Sequence, residues 1–123
     1  MSGYEVTRLD ELESISVAEG LVWHPIRRRL GIAAFGMNAY SAEEVGGHVV
    51  ERHTEQQLGH EEVYIVVSGR ARFELDGDEI DARAGTMVFI RDPSVRREAI
   101  AEEPETLVLA VGGKPKETIE DLE

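Results

Sequence analysis

Apolar and polar side chains alternate with a period of two over much of the chain, and glycines interrupt the alternation at short intervals. The pattern is clearest in residues 71–75, where apolar residues alternate with charged ones. Successive side chains of a β-strand point to opposite faces, so this alternation predicts strands with one buried face. Asp76-Gly77 follows this segment directly and is a strong signal for a two-residue β-hairpin.

The same pattern recurs along the chain and predicts about nine or ten short strands. We expect them at residues 4–6, 21–24, 30–40, 49–55, 62–68, 71–75, 79–82, 86–91, 95–100 and 106–111. A brief helical turn is predicted at residues 10–13, where Asp10 and Glu13 have the spacing of a capping box. The predicted fold is therefore all-β, a single antiparallel sandwich or barrel over residues 1–113 with a tail over residues 114–123.

Composition favours one globular domain, since 41% of the 123 residues are hydrophobic and 31% are charged. No apolar run approaches the roughly 20 residues of a membrane helix, and the start of the chain lacks a secretion signal. We therefore expect a cytoplasmic protein with no membrane partner. The net charge of −12 repels phosphate backbones, so no nucleic-acid partner is expected. Because the chain has no cysteine, a metal site would need His, Asp, Glu or Gln.

Residues 63–67 break the alternation, because all five are apolar. A strand that is apolar on both faces must be covered on both faces. Either the N-terminal strands or another subunit can supply the second cover. We expect a homodimer.

Residues 47–93 resemble the cupin family, small β-barrels in which two short motifs flank a central hairpin. The first cupin motif ends with Glu, six residues and Gly, a spacing that Glu62 and Gly69 share within EEVYIVVSGRARFELDG. The second motif begins with Gly, and Gly77, Gly85 and Asp92 follow its spacing. The resemblance implies a jelly-roll barrel, also called a double-stranded β-helix. It also implies a site near Glu62 where metal-binding cupins hold Fe, Mn, Ni or Zn with three His and one Glu.

The chain departs from both motifs where metal-binding cupins place histidines. Val88 occupies the position of the histidine in the second motif. Only Glu62 of the four usual ligands remains in register. Depending on the gap before Glu62, the two histidines of the first motif are replaced by Glu55 and Gln57 or by Gln56 and Leu58.

A rearranged metal site can still be assembled from neighbouring residues. The odd-numbered residues of the segment 49–55 share a face, and a modest bulge or longer loop would bring His53 into the site. His60 shares the face of Glu62 if that strand extends so far. In the alternative interpretation, His60 only caps its strand and His53 is a partly exposed loop residue. The candidate ligands for one divalent metal ion are His53, His60 and Glu62, with Glu55 or Gln57 as a fourth donor.

A carboxylate in a mostly apolar barrel is a candidate general acid or base, and we expect Glu62 in this role. Alternatively, an arginine neutralises it or it lies at the solvated mouth. A semi-polar pocket for a small organic ligand is expected around it. The predicted pocket residues are Tyr64, Ser68, Thr86 and Val88.

Two arginine clusters, residues 27–29 and 96–97, are interpreted as partners of the many acidic residues. Along a strand, consecutive side chains point to opposite faces, so a cluster of this kind cannot address one anion. Trp23, the only tryptophan, is expected to anchor the core or an interface. Stacking on a ligand is the alternative for this side chain.

Two functions remain open at this point. The first is a small-molecule-binding protein with an eroded metal site, which the valine at position 88 favours. The second is a metal-dependent enzyme that resembles cupin oxygenases or isomerases and uses the rearranged His/Glu site. No nucleotide or flavin motif is present, so a divalent metal ion is the only cofactor under consideration. A purely structural role would require a barrel interior filled by side chains.

Overall fold

The fold is described from a computed structural model in which residues 3–115 are placed. Among these residues there are two 3₁₀ helices, Leu9–Glu11 and Ala18–Gly20, and one short α-helix, α1, at Ile26–Leu30. The strands are β1 (Ile15–Ser16), β2 (Leu21–His24), β3 (Gly36–Ala42), β4 (His48–His53), β5 (Glu61–Ser68), β6 (Arg70–Leu75), β7 (Asp78–Arg83), β8 (Met87–Ile90), β9 (Arg97–Ala101) and β10 (Leu107–Gly113).

The strands form two antiparallel sheets. The six-stranded sheet has the order β1-β2-β3-β10-β5-β8, and the four-stranded sheet has the order β4-β9-β6-β7. Consecutive strands change sheets between β3 and β4, between β4 and β5, and again between β5 and β6. This topology is a jelly roll, and the predicted all-β, cupin-like class is confirmed.

The hairpin between β6 and β7 turns at Asp76 and Gly77, whose φ angles are 49° and 91°. Two consecutive positive φ angles are characteristic of a type I′ turn, which matches the twist of the flanking strands. The pairs Leu75↔Asp78 and Arg70↔Arg83 close the hairpin at its two ends. The predicted two-residue hairpin is therefore confirmed in position, and its turn is of type I′.

The hydrophobic core lies between the two sheets. The fully buried side chains there include Val49, Val66, Phe73 and Val108, each with no exposed surface. The rings of Tyr64 and Phe73 lie 5.7 Å apart between centroids and join the two sheets at the centre. These side chains come from alternate positions of their strands, as the period-two pattern requires.

A smaller cluster covers part of the outer face of the six-stranded sheet. Leu12 and Ile26 are buried there with Ala39 of β3. The partly buried side chains that pack against them are Leu30, Ile32, Met37, Leu107 and Leu109. The N-terminal segment thus supplies a cover for β3 and β10.

The strand predicted over residues 30–40 is wrong in its first half. The chain forms α1 up to Leu30 and turns at Gly31, whose φ of 71° ends the helix in the left-handed region. The Gly31 N–H donates to the carbonyl oxygen of Arg27 at 2.8 Å. Arginine has a good helix propensity, which favours the helix as far as Leu30, and an irregular segment then leads to β3 at Gly36.

Two further expectations concern the ends of the chain. Tyr4 and Val6 belong to no strand, and their side chains are 79% and 83% exposed. Two alternating apolar residues are too short a pattern to specify a strand. Of the predicted tail, residues 114 and 115 have no regular structure, and residues 116–123 lie outside the described part. No helix among the described residues has the length and apolar character needed to cross a bilayer.

Candidate functional site

A cavity of about 480 Å³ opens between the six-stranded sheet and β4 with the loop that follows it. Strands β2, β3, β4, β5 and β10 all contribute side chains to its wall. Its aromatic lining consists of Trp23, Tyr40 and Tyr64. Its carboxylates and imidazoles are Glu51, Glu55, Glu62, His53 and His60.

Glu62 lies at the inner end of this cavity and is paired with a buried arginine. Arg97, which has no exposed surface, donates from Nη1 to Glu62 Oε1 at 3.0 Å. The hydroxyl of Tyr64, two residues along the same face of β5, donates to the same oxygen. A buried charge is tolerated when it is paired and hydrogen-bonded, and here each charge provides the other's partner.

The guanidinium of Arg97 is itself fixed by backbone carbonyl groups. Its Nη2 donates to the carbonyl oxygen of Val95 at 3.0 Å, and its Nε donates to the same oxygen at 3.2 Å. The orientation of Arg97 is therefore determined by the segment just before β9, and it holds Glu62 in one position. Of the two sequence-based alternatives for Glu62, neutralisation by an arginine is the one that the structure shows.

Both tyrosines of the cavity are held as neutral phenols. Burial, followed by the charges of nearby carboxylates, Glu62 first, raises the pKa of Tyr40 to about 12. Burial and then the charge of Glu62 also raise the pKa of Tyr64 well above its usual range. At neutral pH both hydroxyl groups therefore carry a hydrogen, which Tyr64 donates to Glu62.

Glu55 lies between the two imidazoles of the cavity. Its Oε2 is 2.9 Å from His53 Nε2, and its Oε1 is 3.4 Å from His60 Nδ1. His53 Nδ1 lies 2.6 Å from the carbonyl oxygen of Glu51, which can only accept. Nδ1 therefore carries a hydrogen. The carboxylate of Glu55 also only accepts, so its hydrogen bond with Nε2 requires a hydrogen on Nε2, whereas a metal ion at this point would take the Nε2 lone pair in its place.

Irregular pairing of β4 brings these residues together. Its register on β9 shifts twice, between His48 and Val50 and again between Val50 and His53. A bulge places an extra residue on one strand and re-aims the side chains beyond it. Val50, Glu51 and His53 consequently all reach the cavity wall, which a regular strand would not allow.

The donor atoms of His53, Glu55 and Glu62 lie within 4.8 Å of one another. One imidazole nitrogen and two carboxylates suit a divalent ion of borderline softness. The bond from His53 Nδ1 to a backbone carbonyl is the orientation that metal-ligating histidines commonly show. The donor set therefore fits a divalent metal ion, although Glu62 already shares one oxygen with Arg97 and Tyr64.

The other predicted ligands are placed differently. His60 lines the cavity and contacts Glu55, but it is outside the three-residue donor set. Gln57 is exposed and does not line the cavity. Val88 is buried in the core opposite Tyr64, so the second-motif position holds a packing residue.

Of the four predicted pocket residues, only Tyr64 lines the cavity. Ser68 lies six residues beyond Glu62, about 20 Å along the strand. Its hydroxyl donates to the carbonyl oxygen of Glu105 at 2.7 Å. Thr86 is half-buried in the loop before β8, and Val88 belongs to the core. The cavity occupies only one end of the barrel, because Phe73 and its neighbours fill the middle.

Of the aromatic side chains in the cavity wall, Tyr64 was predicted from the sequence, and a ligand-stacking role for Trp23 was only an alternative. Trp23 lines the cavity, and its Nε1 donates to Asn38 Oδ1 at 3.0 Å. On its other side, the guanidinium of Arg28 lies 5.1 Å from the centre of the ring. Arg27 also lines the cavity, because α1 turns consecutive side chains by about 100° and separates the arginines.

Arg97 was also missed, although the pattern contained a signal for it. Arg97 shares the inward face of β9 with Ala99 and Ala101, all buried. A charged residue in register with an apolar strand face marks a buried charge that needs a partner. The partner, Glu62, lies 35 residues earlier, and spacing along the chain does not identify it.

Comparison with known proteins places the fold. No family model matches the sequence, and no curated protein matches it. A cupin protein from Bacteroides fragilis is 17% identical with a TM-score of 0.68, and the alignment covers 98% of this chain and 92% of that one. Pac13 from Streptomyces, a nucleoside dehydratase whose variants are seen with uridine, is 19% identical with a TM-score of 0.66, covering 94% and 86%.

A sugar phosphate isomerase of the cupin superfamily from Silicibacter pomeroyi is 15% identical, with a TM-score of 0.69 and coverage of 90% of this chain and 76% of that chain. At such low identities the likeness defines the fold. The chain has the cupin fold.

Proposed function

We propose that this protein binds a small, neutral, polyhydroxylated organic molecule, such as a sugar or a nucleoside, in the cavity at the mouth of its barrel. The observation that carries the proposal is the juxtaposition of an aromatic wall with a row of carboxylates in one cavity. Small-molecule sites combine apolar and aromatic walls with a few convergent polar groups in this way.

The chemistry of the lining favours hydroxyl groups over anionic groups. Carboxylates only accept hydrogen bonds, and hydroxyl groups donate them. Three carboxylates line the cavity, whereas Arg27 is the one arginine in the described part of its lining, and the buried Arg97 is already committed to Glu62. Together with the net charge of −12, this arrangement disfavours phosphorylated or carboxylated ligands.

Glu62 is proposed as the group that exchanges a proton with the bound molecule. Among the described residues, both of its hydrogen bonds go to Oε1, which leaves Oε2 to a ligand. General acid–base catalysis needs a carboxyl group held in one position within reach of the reacting proton. Arg97 is a positioning residue in this scheme. The presence of a nucleoside dehydratase and a sugar phosphate isomerase among the solved structures with this fold supports a proposal of chemistry on a polyhydroxylated molecule.

The single tryptophan provides the test of binding, because Trp23 lies in the cavity wall. Titration with uridine, neutral monosaccharides and their phosphorylated forms should give a saturable change in tryptophan fluorescence for the neutral compounds only. Glu55→Gln should weaken this binding by roughly tenfold or more, since it removes a charged acceptor. The matched control is Glu79→Gln, on exposed β7. Tighter binding of a phosphorylated compound, or no saturable change with any neutral one, would refute the proposal.

The role of Glu62 has a separate readout. Once a ligand is identified, its incubation in D₂O with the wild-type protein should place deuterium at an exchangeable carbon, as seen by NMR. Glu62→Gln should bind the same ligand and lose this exchange. Equal exchange in both proteins would remove Glu62 from the proposed role and leave the binding proposal intact.

A metal-dependent enzyme is the second candidate, favoured by the proximity of the His53, Glu55 and Glu62 donors. A bound divalent ion would supply Lewis acidity in the cavity. Calorimetric titration with Mn²⁺ or Zn²⁺ and elemental analysis of the untagged protein measure metal binding directly. His53→Ala and Glu62→Gln should abolish a stoichiometric site, while His24→Gln, outside the cavity, should keep it. Wild-type protein without a stoichiometric site excludes this candidate.

The remaining expectations are also retained as proposals. These are a single domain over residues 1–113, a cytoplasmic location and the absence of a nucleic-acid partner. The homodimer is retained with them, supported by the exposed apolar side chains of Met87 and Phe89 on β8.

A further inference from the structure

Trp23, Asn38 and Tyr40 lie side by side on the cavity wall. Trp23 of β2 is directly opposite Tyr40 of β3 in the antiparallel ladder, and Asn38 lies two residues before Tyr40 on the same strand. Opposite partners, and residues two apart on one strand, point to the same face of a sheet. All three side chains line the cavity. They therefore form one row on the inner face of the six-stranded sheet.

The hydrogen bonds along this row have a fixed direction. The indole N–H of Trp23 can only donate, and it donates to Asn38 Oδ1 at 3.0 Å. The amide oxygen of Asn38 therefore faces Trp23, and its NH₂ group is on the other side. Asn38 also makes a side-chain hydrogen bond with Tyr40, in the sense that lowers the pKa of the phenol. A bond of that sense is donated to the phenol oxygen, so Asn38 is the donor and Tyr40 the acceptor.

The hydrogen of the Tyr40 hydroxyl is left for the cavity. Because Asn38 donates to its oxygen, the hydroxyl directs its own hydrogen away from Asn38. The three cavity carboxylates act on this group through their charge, and their negative charge attracts the hydrogen. The described chain gives them no hydrogen bond with it. The polar hydrogens of Trp23 and Tyr64, by contrast, are already donated to Asn38 and Glu62.

We infer that Tyr40 donates a hydrogen bond to a hydroxyl or carbonyl oxygen of the bound molecule, and that Asn38 is the positioning residue that determines the direction of this donor. The inference rests on the proposed function and adds a specificity-determining residue to it. A ligand hydroxyl that accepts from Tyr40 can itself donate to a cavity carboxylate, since carboxylates only accept. It then completes a chain of donors that begins at Trp23. Hydrogen bonds in such a chain polarise and strengthen one another.

The direction of the Tyr40 hydroxyl can be measured without a ligand. The two bands of the tyrosine Raman doublet have an intensity ratio that is high when the phenol accepts a hydrogen bond and low when it donates one. The difference spectrum between a protein and its Tyr40→Phe counterpart isolates Tyr40 from the other two tyrosines. Asn38→Asp keeps the shape of the side chain and replaces the amide donor by an acceptor. It should turn the hydroxyl toward position 38 and lower the ratio. An equal ratio in wild type and Asn38→Asp would overturn the inference.

Titration with uridine and with neutral monosaccharides measures the contribution to binding, by tryptophan fluorescence and by calorimetry where a variant alters that fluorescence. Tyr40→Phe should weaken binding by roughly three- to tenfold, the value of one neutral hydrogen bond. Asn38→Asp should weaken it by a similar factor, because the hydroxyl is turned away. The double variant should bind as Asn38→Asp does, since both changes remove the same bond. Tyr4→Phe, exposed and outside the cavity, is the matched control and should bind like the wild type.

Binding by the wild type separates this inference from the proposed function. If the wild type binds a neutral compound and a folded Tyr40→Phe binds it equally well, Tyr40 is not the donor and the binding proposal stands. If Asn38→Asp weakens binding as much in the Tyr40→Phe background as in the wild type, its effect comes from the added charge, and the positioning role of Asn38 is overturned. If the wild type binds no neutral compound, the proposed function fails and the role of Tyr40 toward a ligand fails with it.

Discussion

At the scale of single residues, the Arg97–Glu62 pair dominates the site. A buried ion pair adds little to stability compared with apolar side chains of the same shape, but the loss of one partner leaves an uncompensated charge. The pair is also part of the cavity wall, because Glu62 lines it and Arg97 determines its position. The pair therefore affects both the stability of the fold and the shape of the cavity.

Arg97→Met should destabilise the protein by about 3–5 kcal/mol, because Glu62 is left charged and unpaired beneath the cavity. Urea unfolding measures the change. The neighbouring Arg96→Met is the matched control at an exposed position, and it should change the free energy of unfolding by less than about 0.5 kcal/mol. Addition of Glu62→Gln to Arg97→Met should recover part of the loss. Equal effects of the two arginine variants would contradict the structural role given to Arg97.

Tyr40 gives a prediction at high pH. Its folded-state pKa of about 12 lies above the usual value of about 10. The neutral phenol is therefore favoured by folding, and this stabilisation is complete below pH 10 and is lost as the pH rises through about 12. The part of the tyrosinate absorbance that rises near pH 12 should be lost in Tyr40→Phe and kept in Tyr4→Phe, whereas Tyr64, whose pKa is raised further, does not contribute to it. A late rise unchanged in Tyr40→Phe would contradict the assignment.

At the scale of elements, the close approach of β10 to β5 positions the carboxylate of Glu62. At Gly112 an added Cβ would lie 2.8 Å from the carbonyl oxygen of Glu61 and 2.9 Å from Cγ of Glu62. Glycine is needed here because of the contact and not because of the backbone angles. The next residue, Gly113, has its nearest neighbour 3.9 Å away, at Phe35.

Gly112→Ala should therefore cost about 1–3 kcal/mol of stability, as overpacking does in a filled core. It should also displace Glu62, and ligand binding measured through Trp23 should weaken. Gly113→Ala, the adjacent control, should leave both the free energy of unfolding and the binding close to wild type. A tolerated Gly112→Ala with unchanged binding would show that β10 does not constrain Glu62.

Helices and strands were predictable where the local sequence pattern agreed with the environment of that segment in the folded chain. The β6–β7 hairpin has a period-two pattern, a specific turn pair and a partner within the same short segment. Residues 26–35 show the opposite case, because a strand was predicted from residue 30 and the chain instead forms a short helix and an irregular segment. This helix depends on local propensity and ends at a glycine, and a glycine in the sequence is equally typical of the turn that ends a strand. The bulges of β4 left no signal of their own, because they arise from its pairing with β9, far along the chain.

At the scale of the whole molecule, the two faces of the six-stranded sheet organise the protein. The inner face forms the core and ends in the cavity. The outer face is covered by N-terminal residues over β3 and β10 and is apolar and exposed over β5 and β8. The doubly apolar residues 63–67 indicated from sequence that a cover was needed. The part of the outer face that the chain itself covers depends on the path of residues 9–32 across the sheet.

The sequence by itself determined the all-β class, the cupin-like motif spacing, the hairpin and the place of Glu62 in the site, because these depend on residues close together along the chain. The tertiary structure decided what surrounds Glu62: the buried Arg97, the aromatic wall with Trp23 and Tyr40, and the exclusion of Ser68, Thr86 and Val88 from the cavity. These contacts join strands of different sheets or opposite ends of one strand. Their distances follow from the packing of the sheets, which spacing along the chain does not encode.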